Sequence, residues 1–178
     1  FYPTKPVGGC DGGMVVSDDK EIIDYFRMMT MNGTTRNIDS WGRTQRIAGY
    51  KMHMNSIQAA IARENLRKLD HKNNILEEIK NYYNSVFNLQ NTSNHLYRIR
   101  VNNNKKFISL MKDHGIQCGI HYEHCHNKNF FNCEKQSLPL SEKESRQTVS
   151  IPFHEKLTTE NVRKVIESVY KASKECRS

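Results

Sequence analysis

The feature that most constrains the fold is a long stretch of helical periodicity in the middle of the chain. Apolar side chains recur at helical spacing from residue 55 to residue 86, which places them on one face of an α-helix. The stretch is longer than a typical globular helix, so we expect it to bend or break near residues 70–73. A helix of this kind suits a connector, and it therefore predicts one structural region on each side.

The region before this helix contains a glycine-rich turn at residues 8–13. An apolar run at residues 14–17 follows, and its composition predicts a short buried strand. Asp18 or Asp19 then caps a helix, because a short side-chain oxygen there accepts hydrogen bonds from the first free backbone N–H groups. Residues 34–48 are polar and irregular, and we expect a loop there.

The region after the long helix changes to alternating strands and helices. This order of elements is typical of an α/β domain, or of an α+β domain if the strands are antiparallel. The predicted elements are a polar linker at 88–94, strands at 96–101, 116–120 and 149–151, a helix at 105–114 closed by Gly115, a helix begun by a capping box at 141–144, and a last helix capped by Thr158 or Thr159.

Charge and hydropathy exclude several classes of protein. The chain has 178 residues, and its 27 Lys+Arg against 19 Asp+Glu give a net charge of +8. The basic residues are scattered among acidic ones, so we expect no nucleic-acid partner; an anionic small ligand such as a phosphate or a nucleotide fits the charge equally well. No apolar run approaches the roughly 18 residues of a transmembrane helix, and the first residues do not resemble a signal peptide. We therefore expect no membrane association.

The cysteines and histidines raise the question of a metal site. An odd number of cysteines at irregular spacing favours free thiols in a reducing compartment, so we expect a cytoplasmic protein. A histidine-rich segment at 121–126, with Cys133 beyond it, has the ligand types that zinc accepts. Its spacing matches no standard zinc finger, and we predict no metal. The five cysteines are Cys10, Cys118, Cys125, Cys133 and Cys176.

Lys5 stands directly before the glycine-rich turn, and two interpretations are open. In the first it is a surface lysine at the end of a strand. In the second its amine is held where it can form a Schiff base with a carbonyl, which requires the deprotonated amine. The glycines would then let the backbone approach a flat ring or a phosphate closely.

Five short motifs occur along the chain in a fixed order. They are residues 1–5, residues 11–13, residues 49–60, residues 119–122 with His126, and residues 150–152. Together they resemble the DegT/DnrJ/EryC1/StrS family of sugar-nucleotide aminotransferases, over nearly the whole chain. These are pyridoxal-phosphate enzymes of the aspartate-aminotransferase fold, pyridoxal-phosphate fold type I. The resemblance therefore implies pyridoxal 5'-phosphate as cofactor.

The resemblance assigns cofactor roles to three residues. Lys5 matches the lysine that holds pyridoxal phosphate covalently and moves the proton during the reaction. Lys51 and His53 match a motif that binds the cofactor phosphate across a homodimer, at positions where the family often has Asn and Arg. Lys51 suits the phosphate as a point charge, whereas His53 is alternatively a plain histidine of the dimer surface.

The resemblance also reinterprets the histidine-rich segment. His121, Tyr122 and His126 match a family segment that lines the sugar-nucleotide side of the active site. We therefore expect no zinc site in this segment. His124 stands where the family often has proline, so the local loop conformation is not implied. His95 matches a recurring position that we interpret as structural support, with a substrate role as the alternative.

The implied function is transfer of an amino group from glutamate to a nucleotide-linked keto-deoxy sugar by a homodimer with shared active sites. We expect a dTDP- or UDP-linked 4-keto-6-deoxyhexose, giving a 4-amino-4,6-dideoxy sugar of the viosamine or perosamine type. Amination of a 3-keto sugar and a noncatalytic homologue that binds pyridoxal phosphate are the alternatives.

The resemblance also predicts the domain organisation. Residues 1–70 would form the C-terminal part of the large pyridoxal-phosphate-binding domain, 71–94 the connecting helix and linker, and 95–178 the small α/β C-terminal domain. In this family several residues that contact the cofactor precede the lysine. We therefore expect this chain to be the C-terminal half of a longer protein.

Overall fold

The computed structural model describes residues 1–126 and 136–177. The chain divides into two compact units, unit 1 at Phe1–Asp70 and unit 2 at His71–Ser178. Both combine helices with short antiparallel strands, in agreement with the predicted mixture of α and β structure. Cys133, which belonged to the possible zinc cluster, lies outside the described residues.

Unit 1 contains two helices whose starts follow from their caps. Helix α1 spans Lys20–Thr30, and the Asp19 carboxylate accepts hydrogen bonds from the backbone N–H groups of Glu21 and Ile22. Helix α2 spans Ser56–Arg67 and begins with a capping box between Asn55 and Gln58. Both starts confirm the sequence prediction, because a cap depends only on residues within one turn of each other.

A β-hairpin replaces the loop expected at 34–48. Strand β1, Thr34–Arg36, pairs antiparallel with strand β2, Arg43–Gln45. The prediction of a loop was wrong here because the strands carry no apolar alternation. Side-chain hydrogen bonds stabilise the hairpin instead: Thr44 Oγ1 donates to Asn37 Oδ1 at 2.8 Å, and Gln45 Nε2 donates to the Asn32 carbonyl at 3.0 Å.

Residues 14–17 do not form the predicted buried strand. Their backbone has no strand partner, and Met14, Val15 and Val16 are exposed. An apolar run becomes a strand only where a neighbouring strand accepts and donates its hydrogen bonds. No described segment does so for this run.

The long helical stretch is two helices. Helix α3 spans Leu69–Phe87, and Lys68 separates it from α2. The predicted break is therefore real, and it lies slightly before residues 70–73.

Unit 2 is built on a two-stranded antiparallel sheet. Strand β3, Tyr97–Arg100, pairs with strand β4, Thr148–Ile151, so that Ile99 lies opposite Val149. Helix α4 spans Asn104–Asp113, helix α5 Pro139–Gln147 and helix α6 Thr159–Arg177. Gly115 follows α4 with a φ of +74°, a conformation that glycine adopts without the strain other residues meet.

The core of unit 2 lies between this sheet and helices α3, α4 and α6. The predicted inner face of α6 is buried at all four of its apolar positions. The core residues are Ile79, Tyr83, Tyr97, Ile99, Phe107, Met111, Ile116, Val149, Ile151, Val162, Val165, Ile166, Val169 and Ala172.

Two predicted details of unit 2 are wrong. The expected strand at 116–120 makes only one bridge, in which Gly119 and Ser150 exchange two backbone hydrogen bonds of 3.0 and 2.8 Å. Helix α5 begins at Pro139 rather than at Ser141, because proline is favoured in the first turn of a helix.

Candidate active-site residues

The segment around Lys5 forms a turn that packs on α2. The Lys5 side chain is exposed, and it has no hydrogen bond or ion pair within the part of the chain that the structure describes. Gly8 and Gly9 are buried, and the Asn65 side-chain amide donates to the Gly8 carbonyl at 2.6 Å. A Cβ on Gly9 would lie 3.0 Å from the Cβ of Ala62, so this close approach favours glycine. The turn thus holds the Lys5 backbone and leaves its amine accessible.

A groove of about 800 Å³ lies elsewhere in unit 1, and Lys51 and His53 both line it. The end of α1 positions this segment: the Tyr50 N–H donates to the Met29 carbonyl at 2.7 Å, and the Met52 N–H donates to the Thr30 carbonyl at 3.0 Å. These hydrogen bonds use carbonyls of the last helical turn that have no partner within the helix.

The groove suits an anionic group. Arg27 lines it together with Lys51 and His53, so it combines a guanidinium, an ammonium and an imidazole. The Arg27 guanidinium lies 3.4 Å from an oxygen of Asp24, which offsets part of its charge. Asp11 is the carboxylate in the lining, and its Oδ1 accepts the Gly12 N–H at 2.8 Å. A phosphate fits this donor set, because Arg27, Lys51 and His53 can each donate hydrogen bonds to its oxygens.

The structure brings Lys51 and His53 together but does not place Lys5 among the residues that line their groove. Pyridoxal phosphate requires an amine for its aldehyde and donors for its phosphate. Unit 1 supplies both kinds of group, in an accessible lysine and a cationic groove. The residues present therefore fit the cofactor.

The other candidate residues belong to unit 2 and lie at 121–126. The His126 Nε2 lies 3.2 Å from Glu142 Oε1, and both side chains are largely buried. The hydrogen bond from His126 lowers the pKa of Glu142, and the Leu138 N–H lowers it further. Glu142 therefore stays an anion into the acidic range, and His126 faces a permanent carboxylate at neutral pH.

The remaining residues of this segment differ in exposure. The Tyr122 side chain is 71% exposed, and its ring stands edge-on to that of His121. The His121 Nδ1 is buried and has no hydrogen-bond partner among the described residues, whereas His124 Nδ1 lies 3.1 Å from Ser145 Oγ. Tyr122 thus offers an exposed ring, whereas His124 and His126 contact side chains of helix α5.

His95 is half-buried and lies two residues before the first residue of β3. Its backbone N–H donates to Ser93 Oγ at 3.0 Å. This contact is compatible with the structural role predicted for it, and the substrate alternative is left untested.

Three residues that contact the candidate sites were missed by the sequence analysis: Arg27, Glu142 and Ser145. Glu142 had been assigned to a capping box, and its carboxylate does accept the Leu138 N–H at the helix start. Its second contact, to His126, spans a chain separation that no local pattern predicts. Among the described residues, no group of three or more His, Cys, Asp or Glu could hold a metal ion.

The fold is that of sugar aminotransferases. The structure superposes on the aminotransferase TlmJ from Streptoalloteichus hindustanus with a TM-score of 0.87 and 22% identity, covering 98% of this chain and 50% of that one. It superposes on DesV from S. venezuelae with a TM-score of 0.82 and 26% identity, covering 97% and 50%. The sugar aminotransferase Spr1654 from Streptococcus pneumoniae, solved in its pyridoxal-phosphate form, gives 0.84 and 21%, covering 97% and 50%.

The chain belongs to the DegT/DnrJ/EryC1/StrS aminotransferase family, whose model matches residues 1–170. This family depends on pyridoxal phosphate, and Spr1654 has been solved in both its pyridoxal- and pyridoxamine-phosphate forms. The expected family, fold class and cofactor are therefore confirmed.

Curated relatives match over almost the whole of this chain. The protein MJ1066 of Methanocaldococcus jannaschii is 29% identical, with 99% of this chain and 53% of the relative covered. The spore coat polysaccharide biosynthesis protein SpsC of Bacillus subtilis is 26% identical over 95% and 51%. The UDP-4-amino-4,6-dideoxy-N-acetyl-beta-L-altrosamine transaminase of Campylobacter jejuni is 25% identical over 96% and 50%. This chain thus spans about half the length of these relatives.

No helix in the described part of the chain is long and apolar enough to cross a membrane.

Proposed function

We propose that this chain carries the lysine-bearing half of an enzyme that moves an amino group from glutamate to a nucleotide-linked keto-deoxy sugar. The observation that carries the proposal is the accessible amine of Lys5, held on a buried glycine turn in a chain that matches the aminotransferase family over residues 1–170. Such an amine is what covalent attachment of an aldehyde cofactor requires.

In this proposal Lys5 has two tasks. Its amine would hold pyridoxal phosphate covalently and, once released, would accept and return the proton of the reacting substrate carbon. The bound cofactor supplies an electron sink for the amino transfer. The exposed side chain of Lys5 has the freedom that this movement needs, because no described residue holds its ammonium.

The cationic groove around Lys51 and His53 binds the cofactor phosphate of a second copy, so that a homodimer shares its active sites. The exposure of both side chains supports this assignment, because a residue that reaches a neighbouring copy must be accessible from outside its own unit. Arg27 adds charge to the same groove.

Mixing of variants tests the shared site. Lys5→Ala and Lys51→Ala/His53→Ala each lose activity as homodimers. After mixing and exchange of subunits, about a quarter of the wild-type activity should return, because half the dimers are mixed and each mixed dimer has one intact site of two. If these residues serve the site of their own copy, mixing restores nothing.

The segment at 121–126 takes the nucleotide sugar. The exposed Tyr122 ring offers a flat apolar face for a sugar or base, and the neighbouring histidines offer hydrogen bonds. We assign a 4-keto-6-deoxyhexose linked to dTDP or UDP as acceptor. The name of the Campylobacter jejuni relative, a transaminase of a UDP-4-amino-4,6-dideoxy sugar, supports this choice.

The decisive experiment uses the full-length protein loaded with pyridoxal phosphate. Glutamate should bleach the visible absorbance of the bound cofactor, and a nucleotide keto sugar should restore it. Mass spectrometry and NMR of the product then identify the sugar and the aminated carbon. A product aminated at C3 would replace the 4-keto assignment, and absorbance that does not respond to glutamate or any other amino donor would overturn the proposal.

The variant Lys5→Ala tests the catalytic role that we propose for Lys5. General acid–base catalysis typically contributes about 10²–10⁴-fold, so we expect the variant to lose at least about a hundredfold in turnover while it still binds the nucleotide sugar. Lys68→Ala, which removes an equally exposed lysine from the end of α2, should keep full turnover. Normal turnover by Lys5→Ala would refute the assignment.

A further inference from the structure

Helix α5 presents two polar side chains to the histidine segment. Glu142 and Ser145 are three residues apart and therefore lie on the same face of the helix. Glu142 contacts His126, and Ser145 contacts His124. The two histidine rings are themselves neighbours, with centroids 4.9 Å apart. Two histidines of the segment, His124 and His126, therefore contact the same face of α5.

The contact between Glu142 and His126 defines the state of the imidazole. A carboxylate only accepts hydrogen bonds, so the His126 Nε2, at 3.2 Å, must carry the proton that it donates. In the neutral ring the lone pair is then on Nδ1. The solvent-exposed fractions of the two side chains are 13% and 23%, so water competes only weakly for this hydrogen bond.

The Glu142 carboxylate is itself held in place. The Leu138 N–H donates to Oε1 at 3.2 Å, and the Arg146 guanidinium lies 3.9 Å from Oε2. The Leu138 N–H belongs to the backbone at the start of α5, and Arg146 lies one helical turn after Glu142. The carboxylate therefore has little freedom to leave His126.

Helix α5 is in turn attached to α4 by a buried amide. The Asn104 side chain is 3% exposed, and its Nδ2 donates to the Ser145 carbonyl at 2.7 Å and to the Thr148 carbonyl at 3.2 Å. Ser145 Oγ also accepts the His124 backbone N–H at 3.1 Å. The histidine segment is thereby connected through α5 to the core of unit 2.

We propose that Glu142 is a positioning residue for the nucleotide sugar: it fixes the tautomer and the orientation of His126 by accepting the hydrogen bond from Nε2. Ser145 supports the same segment through His124. This inference rests on the proposed function, in which His126 belongs to the surface that binds the sugar nucleotide.

The test compares four variants of the full-length holoenzyme. Glu142→Ala should raise the KM for the nucleotide keto sugar about tenfold, the effect of losing one charge-assisted hydrogen bond, and should leave the glutamate half-reaction unchanged. Glu142→Gln should recover part of the loss, because its amide oxygen still accepts a hydrogen bond. Glu144→Gln, on the same helix but paired with Arg100 and Thr148, should have no effect. His126→Ala should raise the KM at least as much as Glu142→Ala.

Two measurements separate positioning from general stability. In NMR spectra of the holoenzyme with isotope-labelled histidine, Glu142→Ala should change the tautomer signal of His126, and Glu144→Gln should not. The double variant His126→Ala/Glu142→Ala should have the same KM as His126→Ala alone, because Glu142 acts through His126.

The outcomes distinguish this inference from the proposed function. If His126→Ala leaves the KM unchanged, the segment does not bind the sugar nucleotide, and both proposals fall. If His126→Ala raises the KM and Glu142→Ala does not, only the role of Glu142 is overturned. An unchanged tautomer signal in Glu142→Ala has the same meaning.

Discussion

The described part of unit 2 encloses a core of fourteen buried side chains, whereas unit 1 has almost none. In unit 1, all of which the structure describes, Ala62 is the only apolar side chain that is buried. Large apolar side chains of unit 1 remain in solvent instead, and Ile38 and Trp41 of the hairpin are essentially fully exposed. Within this chain, which spans about half the length of its relatives, the lysine and the cationic groove thus lie on the unit with few buried apolar side chains, and the histidine segment lies on the unit with many.

Hydrogen bonds define the conformation of unit 1. The Asn32 N–H donates to the Tyr50 carbonyl at 2.9 Å, and Gly33, at a φ of +71°, donates to the Met28 carbonyl at 2.9 Å. Each such bond contributes only about 1 kcal/mol net, because water competes for the same groups. Backbone hydrogen bonds specify where residues lie, and burial of apolar surface supplies most of the stability.

Truncation of one phenylalanine in each unit should give the largest difference between the units in the loss of unfolding free energy. Phe107 is fully buried in unit 2, so Phe107→Ala should lower the free energy of unfolding by about 3–5 kcal/mol. Phe26, on α1, is 42% exposed, and Phe26→Ala should cost less than about 1 kcal/mol. Denaturant titration measures both. Equal costs would show that the Phe26 side chain is covered by another surface in the protein.

A second pair compares asparagines. Asn104→Ala removes the amide that donates hydrogen bonds to the backbone carbonyls of Ser145 and Thr148. We expect a loss of about 2 kcal/mol in the free energy of unfolding. Asn37→Ala removes an exposed contact in the hairpin and should change stability by less than about 0.5 kcal/mol. A loss for Asn104→Ala as small as that for Asn37→Ala would remove the role of Asn104 in attaching α5.

A pH titration should reveal the burial of Cys118 in unit 2. Burial raises the pKa of this thiol to about 11. Between its ordinary pKa of about 8.5–9 and this value, the unfolded chain releases the proton and the folded chain keeps it, so stability falls as the pH rises. Cys118→Ala should reduce this fall, whereas Cys10→Ala in unit 1 should preserve it. Burial also raises the pKa of Tyr83, so part of the fall should remain at the upper end of the range. The same pH dependence in Cys118→Ala and wild type would contradict the prediction.

The smallest expected effect concerns Trp41. It is the single tryptophan of the chain and is fully exposed, so its fluorescence should report a water-exposed indole before and after unfolding. We expect no shift of the emission maximum in a denaturant titration. Emission at shorter wavelength in the folded protein would show that another surface covers the hairpin. The difference in apolar burial between the two units would then be smaller.

The elements that were predicted correctly depend on neighbours in the chain. The cap at Asp19, the helix start at Asn55 and the turn at Gly115 all depend on interactions within a few residues. The apolar face of α6 was predicted for the same reason, because helical spacing is a local pattern. The motifs around Lys5 identified the family, since their order along the chain is a property of the sequence itself.

The elements that were missed depend on partners far along the chain. Residues 14–17 have the composition of a strand but no strand beside them, and residues 34–45 form strands without the expected alternation. The segment at 116–120 pairs at Gly119 alone. In each case the outcome depends on whether another segment supplies backbone hydrogen bonds, which composition does not predict.

The sequence by itself determined the helices, their caps and the family, with Lys5, Lys51 and the histidine segment as candidates. Only the tertiary structure decided that Lys51 and His53 share a groove with Arg27, and that Glu142 holds His126. Caps and helical periodicity act over one or two turns, so the sequence displays them directly. A carboxylate sixteen residues from its histidine is brought there by the packing of α5 on α4. That contact exists only once the core of unit 2 has formed.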